Sequence, residues 1–105
     1  MGQPLAATGQ LGLNESMNTT VKRLVLDILK PHEPNALEFA RALAALGYHV
    51  QLRVDEVDEK TESLVVAVEG DDIDFDQVRA TINELGGSLH SIDEVEVQGV
   101  PTQGP

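Results

Sequence analysis

The sequence contains no cysteine, and this absence excludes several kinds of chemistry at once. Disulfides, thiolate metal sites, iron–sulfur clusters and cysteine nucleophiles all require that side chain. Aromatic residues make up only 3% of the 105 residues, so the core must be aliphatic and nucleobases would find few stacking partners. No apolar run reaches the roughly 18 residues that a membrane-spanning helix requires.

Basic residues are also scarce. Seven Lys and Arg stand against 18 Asp and Glu, so the formal net charge is −11. Because nucleic acids and anionic membranes both attract clustered Lys and Arg, we expect neither as a partner. The chain shows no secretory signal peptide, and the expected location is the cytoplasm.

The length is that of one small domain. Residues 1–19 show no periodic apolar pattern and are predicted to be a flexible leader or a remnant of cloning. An alternative is that this leader docks on a partner through Leu5, Leu11 and Leu13. Residues 99–105 contain two Pro and two Gly and are predicted to be a disordered tail. The folded domain is therefore predicted over residues 20–98.

Hydrophobic periodicity predicts six elements in that domain. Apolar residues that alternate with polar ones predict strands, and apolar residues spaced by three and four predict helices. The predicted elements are strand 21–29, helix 34–46, strand 48–57, strand 61–69, helix 74–85 and strand 88–97. The polar turn between the second and third strands is too short for a crossover, so these strands must pair as an antiparallel hairpin.

This β-α-β-β-α-β order predicts an α+β fold, the ferredoxin-like sandwich. We expect a four-stranded antiparallel sheet in the order 4-1-3-2, with two helices on one face. Ile92 is out of phase with Val95 and Val97, which predicts a bulge near residues 91–93.

Three ordered motifs resemble a known family. They are residues 21–34 (VKRLVLDILKPHEP), residues 69–75 (EGDDIDF), and Gly86-Gly87 followed by residues 90–95 (HSIDEV). Together they resemble the domain-of-unknown-function 211 family of small, largely archaeal proteins. The resemblance implies a ferredoxin-like fold that assembles into a homo-oligomer, and it implies no catalytic residues.

Four carboxylates lie within six residues and form the densest charge cluster, namely Asp71, Asp72, Asp74 and Asp76. Hard cations such as Ca²⁺ and Mg²⁺ prefer oxygen ligands, so the cluster is a candidate metal site. It is not an EF-hand, because Gln77 and Asn83 stand where that loop needs Gly and Glu. The alternative is structural, since acidic residues at a helix start cap free N–H groups and favour the helix dipole.

The sheet face opposite the helices is a candidate oligomer interface because an apolar centre there has a polar frame. Its predicted members are Arg23, Val25, Asp27, Leu29, Arg53, Val65 and Ala67. Asp27 would lie on a central strand, where a carboxylate needs a partner or water. Arg23 and Arg53 project from the same face and could partner it, so we expect an ion-pair network in a subunit interface. The alternatives are a polar ligand pocket or, least favoured, an Asp27–His90 catalytic pair.

The turn after the first strand is a second candidate region. His32, Glu33 and His90 could form the lip of a small-molecule site. The same histidines with Glu33 and Asp93 could ligate zinc. However, the spacing of the histidines matches no ligand pattern, and we expect them near opposite ends of the sheet.

These observations predict a non-enzymatic, homo-oligomeric binding and assembly protein, with Ca²⁺ or Mg²⁺ as candidate ligands of the acidic loop. The alternative is a regulatory module that senses a small molecule at a subunit interface.

Overall fold

The structure is a computed structural model, and it describes residues 18–99. The predictions for residues 1–17 of the leader, including its three leucines, and for residues 100–105 lie outside these described residues. Thr19, which we assigned to the leader, begins the first strand.

The described chain has the predicted order of elements. They are β1 (Thr19–Pro31), α1 (Ala36–Ala44), β2 (His49–Val57), β3 (Thr61–Glu69), α2 (Phe75–Glu84) and β4 (Ser88–Gly99). The strands form one antiparallel sheet in the order β2-β3-β1-β4. The α+β ferredoxin-like fold is therefore confirmed. Among residues 18–99, neither helix has the length and apolar character needed to cross a bilayer.

Side-chain caps determine where both helices begin. The Asn35 side chain accepts a hydrogen bond from the Glu38 backbone N–H at 2.9 Å, and Asp74 accepts one from Gln77 at 3.2 Å. Each bond satisfies a donor that has no partner within the helix. After α1 the chain reverses at Gly47, whose φ of +107° is a conformation that favours glycine.

One aliphatic core joins the sheet to both helices. Alternate residues of the two central strands point into it, and Phe39 and Leu43 of α1 meet Val78 and Ile82 of α2 there. The strand residues are Leu24, Leu26 and Ile28 of β1 and Leu64, Val66 and Val68 of β3. Because only these alternate side chains of the strands are buried, the opposite face of the sheet is left uncovered.

Two strands are longer than expected. β1 continues through Pro31, although we predicted that the strand ends at residue 29. Proline is tolerated there because β4 pairs with β1 only as far as Leu29. At Pro31 the strand has a partner on one side alone, and the missing N–H removes no ladder bond on the other side. β4 reaches Gly99, which we had assigned to the tail.

The predicted bulge in β4 is confirmed at Asp93, which has no partner on β1. A second irregularity, which we did not expect, leaves His90 unpaired between Leu89 and Ser91.

Candidate functional site

The uncovered side of the sheet, called here the outer sheet face, carries the largest group of candidate residues. Cross-strand pairing places Val25 between Ala67 and Glu94, and Asp27 between Val65 and Ser91. On the edge strand β2, Gln51 lies beside Ala67 and Arg53 beside Val65. Because directly paired residues share a face, all seven residues predicted for the interface lie on this face.

The middle of the outer sheet face is apolar. Val25 and Leu29 of β1 and Val65 and Ala67 of β3 are each partly buried, although no helix covers them. Their neighbours on β2 and β4 are polar and exposed. The face therefore has the apolar centre and polar rim that are typical of a protein contact.

Arginine side chains on this face are already paired, but not with Asp27. Arg23 Nε lies 3.1 Å from Glu69 Oε2, and its Nη1 pairs with Glu94. Arg53 Nη2 lies 3.5 Å from Asp55 Oδ1.

Within one protomer neither arginine pairs with Asp27, and the ion-pair network across a subunit interface stays a prediction. Arg23 has Glu69 directly across the strand pair, and β3 lies between Arg53 and Asp27. In residues 18–99, no hydrogen bond or ion pair reaches the Asp27 carboxylate.

A shallow depression of about 390 Å³ lies on the outer sheet face. Its floor is apolar, and guanidinium, amide and carboxylate groups stand around it. The lining residues are Arg23, Val25, Gln51, Leu52, Arg53, Val65, Ala67 and Glu94. Such a surface can hold a small amphipathic molecule or the side chains of a partner.

A buried lysine under the turn after β1 is the polar feature that sequence reasoning missed. Lys30 is 1% exposed, and its Nζ lies 2.9 Å from Glu62 Oε1. The same ammonium donates to the carbonyl oxygens of Pro31 at 2.9 Å and Pro34 at 2.7 Å. The alternation could have revealed it, because Lys30 continues the buried phase of β1 and Glu62 continues that of β3.

His32 completes this network from the outside. Its Nδ1 lies 3.0 Å from Glu62 Oε2, and its Nε2 lies 3.0 Å from the Glu59 carbonyl oxygen. Both ring nitrogens thus face acceptors, which only the imidazolium form can satisfy. These contacts, the Glu62 hydrogen bond first, raise the pKa of His32, and the His32 and Lys30 hydrogen bonds lower the pKa of Glu62.

His32 therefore joins the turn to the tip of the β2–β3 hairpin. Glu33 is exposed on the turn, and His90 is exposed on β4 on the other side of β1. Our expectation that His32 and His90 lie at opposite ends of the sheet is wrong, because the antiparallel register places Leu29 against Ser88. The three predicted lip residues do not line the depression on the outer sheet face.

The acidic loop uses its carboxylates in separate local contacts. Asp74 caps α2, Asp72 Oδ1 lies 3.4 Å from the Val21 backbone nitrogen, and Asp76 Oδ1 lies 3.3 Å from Arg79 Nη2. Asp71 is exposed. Within residues 18–99 no three His, Asp or Glu side chains form a group that could hold a metal ion. The cation site stays a prediction that this arrangement does not support.

Comparisons with known proteins agree with the sequence motifs. The model of the family DUF211, described as "Uncharacterized ArCR", matches residues 22–100. The chain is also similar to "Uncharacterized protein MJ0319" of the archaeon Methanocaldococcus jannaschii, with 47% identity over 77 residues. That match covers 71% of this chain and 79% of the relative.

Proposed function

Because the chain belongs to the domain-of-unknown-function 211 family, whose description names no reaction, we propose from its own residues that it is a non-enzymatic, homo-oligomeric assembly protein. Two copies meet through the outer sheet face. The observation that carries this proposal is the apolar centre formed by Val25, Leu29, Val65 and Ala67 on a face that the helices leave open.

The apolar centre supports packing of one sheet on another. Two sheets pack about 10 Å apart when apolar side chains of their facing surfaces interdigitate. A domain of about 80 residues buries a limited core, so covering this centre also stabilises the fold.

The charges of the face support a second copy of this chain as the occupant. Asp27 is partly buried and unpaired within the described residues, whereas Arg53 is exposed and makes only a 3.5 Å contact with its near neighbour Asp55. In a twofold contact each surface meets itself, so Arg53 of one protomer can reach the Asp27 carboxylate of its partner. The same surface thus supplies both charged groups of the ion pair, the Asp27 carboxylate and the Arg53 guanidinium.

Sedimentation velocity at tens of micromolar, a concentration at which weak contacts begin to dissociate, tests the proposal. We expect the wild-type chain to sediment as an oligomer. Val65→Asp places a charge in the apolar centre and should shift the population to smaller species. A wild-type chain that is monomeric under these conditions would contradict the proposal.

Leu37→Asp is the matched control. Leu37 is 58% exposed on α1, away from the outer sheet face, so the same change there should leave the oligomer intact. Circular dichroism establishes that each variant is folded. If Val65→Asp unfolds the chain, Ala67→Glu decides the question, because Ala67 lies on the outer face and not in the core.

The depression beside Arg23 and Arg53 favours a second candidate function, the sensing of a small molecule. A ligand that binds only the native state raises the melting temperature. Thermal-shift screening against amino acids and nucleotides therefore tests this alternative. A stabilising compound should lose its effect in Arg53→Gln and keep it in Arg41→Gln, where the arginine lies on α1.

A further inference from the structure

β4 is an edge strand with apolar side chains that nothing in the described chain covers. Ile92, Val95 and Val97 are 46%, 57% and 50% exposed. Their partners on β1 are Leu26, Leu24 and Val21, which pack in or against the core, so the three side chains lie on the helix side of the sheet. A long edge strand with exposed apolar residues is a template for pairing with another strand.

The opposite edge of the sheet, β2, also carries exposed apolar side chains. Val54 and Val57 of β2 are 37% and 62% exposed. Val54 pairs with the core residue Leu64, so it lies on the helix side. Among residues 18–99, β2 pairs only with β3 and β4 only with β1, so each edge presents a free row of backbone donors and acceptors.

Strand directions allow these two edges to meet. Each neighbouring pair in the sheet is antiparallel, so β2 and β4, three positions apart, run in opposite directions. A second copy placed beside the first in the same orientation therefore brings its β2 against β4 as an antiparallel pair. Such a contact continues the sheet from one copy to the next.

Side-chain chemistry selects a register for this pairing. When Arg53 stands opposite Glu94, both lie on the outer sheet face and have opposite charge. On the helix side the same register sets Leu52 opposite Val95 and Val50 opposite Val97. Pairing of β4 with another β4 about Val95 would instead set Glu94 against Glu96, and like charges directly opposite are destabilising.

We propose that copies of this chain join edge to edge, with β4 of one protomer pairing with β2 of the next. The contact is head-to-tail, so it generates a ring if the rotation closes and a filament if it does not. It rests on the proposed self-assembly, and it shares Arg53 with the outer-face contact but does not use the apolar centre.

The absence of cysteine makes a crosslinking test direct. Leu52→Cys and Val95→Cys are made in separate chains and mixed under mild oxidation. Within one chain the two positions lie three strand spacings apart, about 14 Å, but across the proposed contact they would be within disulfide range. We expect a covalent dimer in the mixture that neither variant forms alone.

The control mixture pairs Val95→Cys with Leu37→Cys on α1. If the test mixture gives no more disulfide dimer than this control, or if Val95→Cys alone crosslinks equally fast, the proposal is overturned. If Leu52→Cys does not fold, Val50→Cys with Val97→Cys examines the same register.

Charge reversal provides an independent test. Arg53→Glu and Glu94→Arg should each weaken self-association by about tenfold, and the double variant should restore it. Glu69→Arg is the matched control, because it also removes a partner of Arg23 but lies on the central strand β3. In the Val65→Asp background, which removes the outer-face contact, failure of the double variant to restore association overturns the edge contact. A Val65→Asp chain that assembles just as the wild type does overturns only the outer-face contact.

Discussion

At the scale of single residues, the Lys30–Glu62–His32 network is the part of the molecule with the most demanding electrostatics. A buried ammonium is tolerated only when it is paired and hydrogen-bonded, and Lys30 has a carboxylate and several carbonyl oxygens around it. The network ties the turn after β1 to the β2–β3 hairpin. We infer that it supports the fold.

The pKa shifts of this network predict a pH dependence of stability. The pKa of His32 is raised by Glu62 and the Glu59 carbonyl, so its contribution is complete below its ordinary pKa of about 6.5 and is lost as pH rises through the raised value. The pKa of Glu62 is lowered, so its contribution is lost only as pH falls below about 4.3. The network is therefore strongest between these limits.

Urea unfolding of the wild type and His32→Gln measures this effect. Between pH 6 and pH 8.5 the free energy of unfolding should fall more for the wild type than for the variant. The other two histidines are present in both proteins, so the difference isolates His32. Parallel curves over this range would contradict the prediction.

At the scale of elements, the acidic loop acts as the start of α2. Asp74 caps the helix, and Asp76 lies in its first turn beside Arg79. Acidic residues at this end also favour the helix dipole. The sequence pattern alone allowed either a cation site or a cap, and the separated contacts favour the cap.

Asp74→Ala should lower the free energy of unfolding by about 1 kcal/mol, because it leaves the Gln77 N–H without its acceptor. Asp71→Asn should be close to neutral, since Asp71 is exposed. Chemical denaturation with and without Ca²⁺ checks both expectations. A Ca²⁺-dependent stabilisation that Asp71→Asn and Asp72→Asn abolish would instead establish the cation site.

At the scale of the whole molecule, a net charge of −11 opposes any assembly of identical copies. Added salt screens this repulsion, since the Debye length falls from about 30 Å at 0.01 M to about 8 Å at 0.15 M. Self-association driven by apolar contacts should therefore tighten as salt rises.

Sedimentation across a NaCl series tests this expectation. MgCl₂ at matched ionic strength provides the comparison. If a specific cation site exists, Mg²⁺ should promote self-association more than NaCl does at the same ionic strength. Association that weakens steadily with salt would show that attraction between charges, and not burial of the apolar centre, holds the copies together.

Hydrophobic periodicity was sufficient to predict the order of the elements and which face of each one is buried. Alternation in β1 and β3 and the three- and four-residue spacing in the helices predicted the core residues, because each local period permits one buried face. Short connections and right-handed crossovers then left one simple topology.

Local periodicity could not predict which polar side chains meet across the sheet. Arg23 pairs with Glu69 and Glu94, and Asp27 has no partner in the described chain, because strand register brings together residues that are 46 to 71 positions apart. The exposure of apolar side chains on β4 was likewise not predictable from the sequence. Their alternation resembles that of a covered strand, yet Ile92, Val95 and Val97 are exposed in the folded chain.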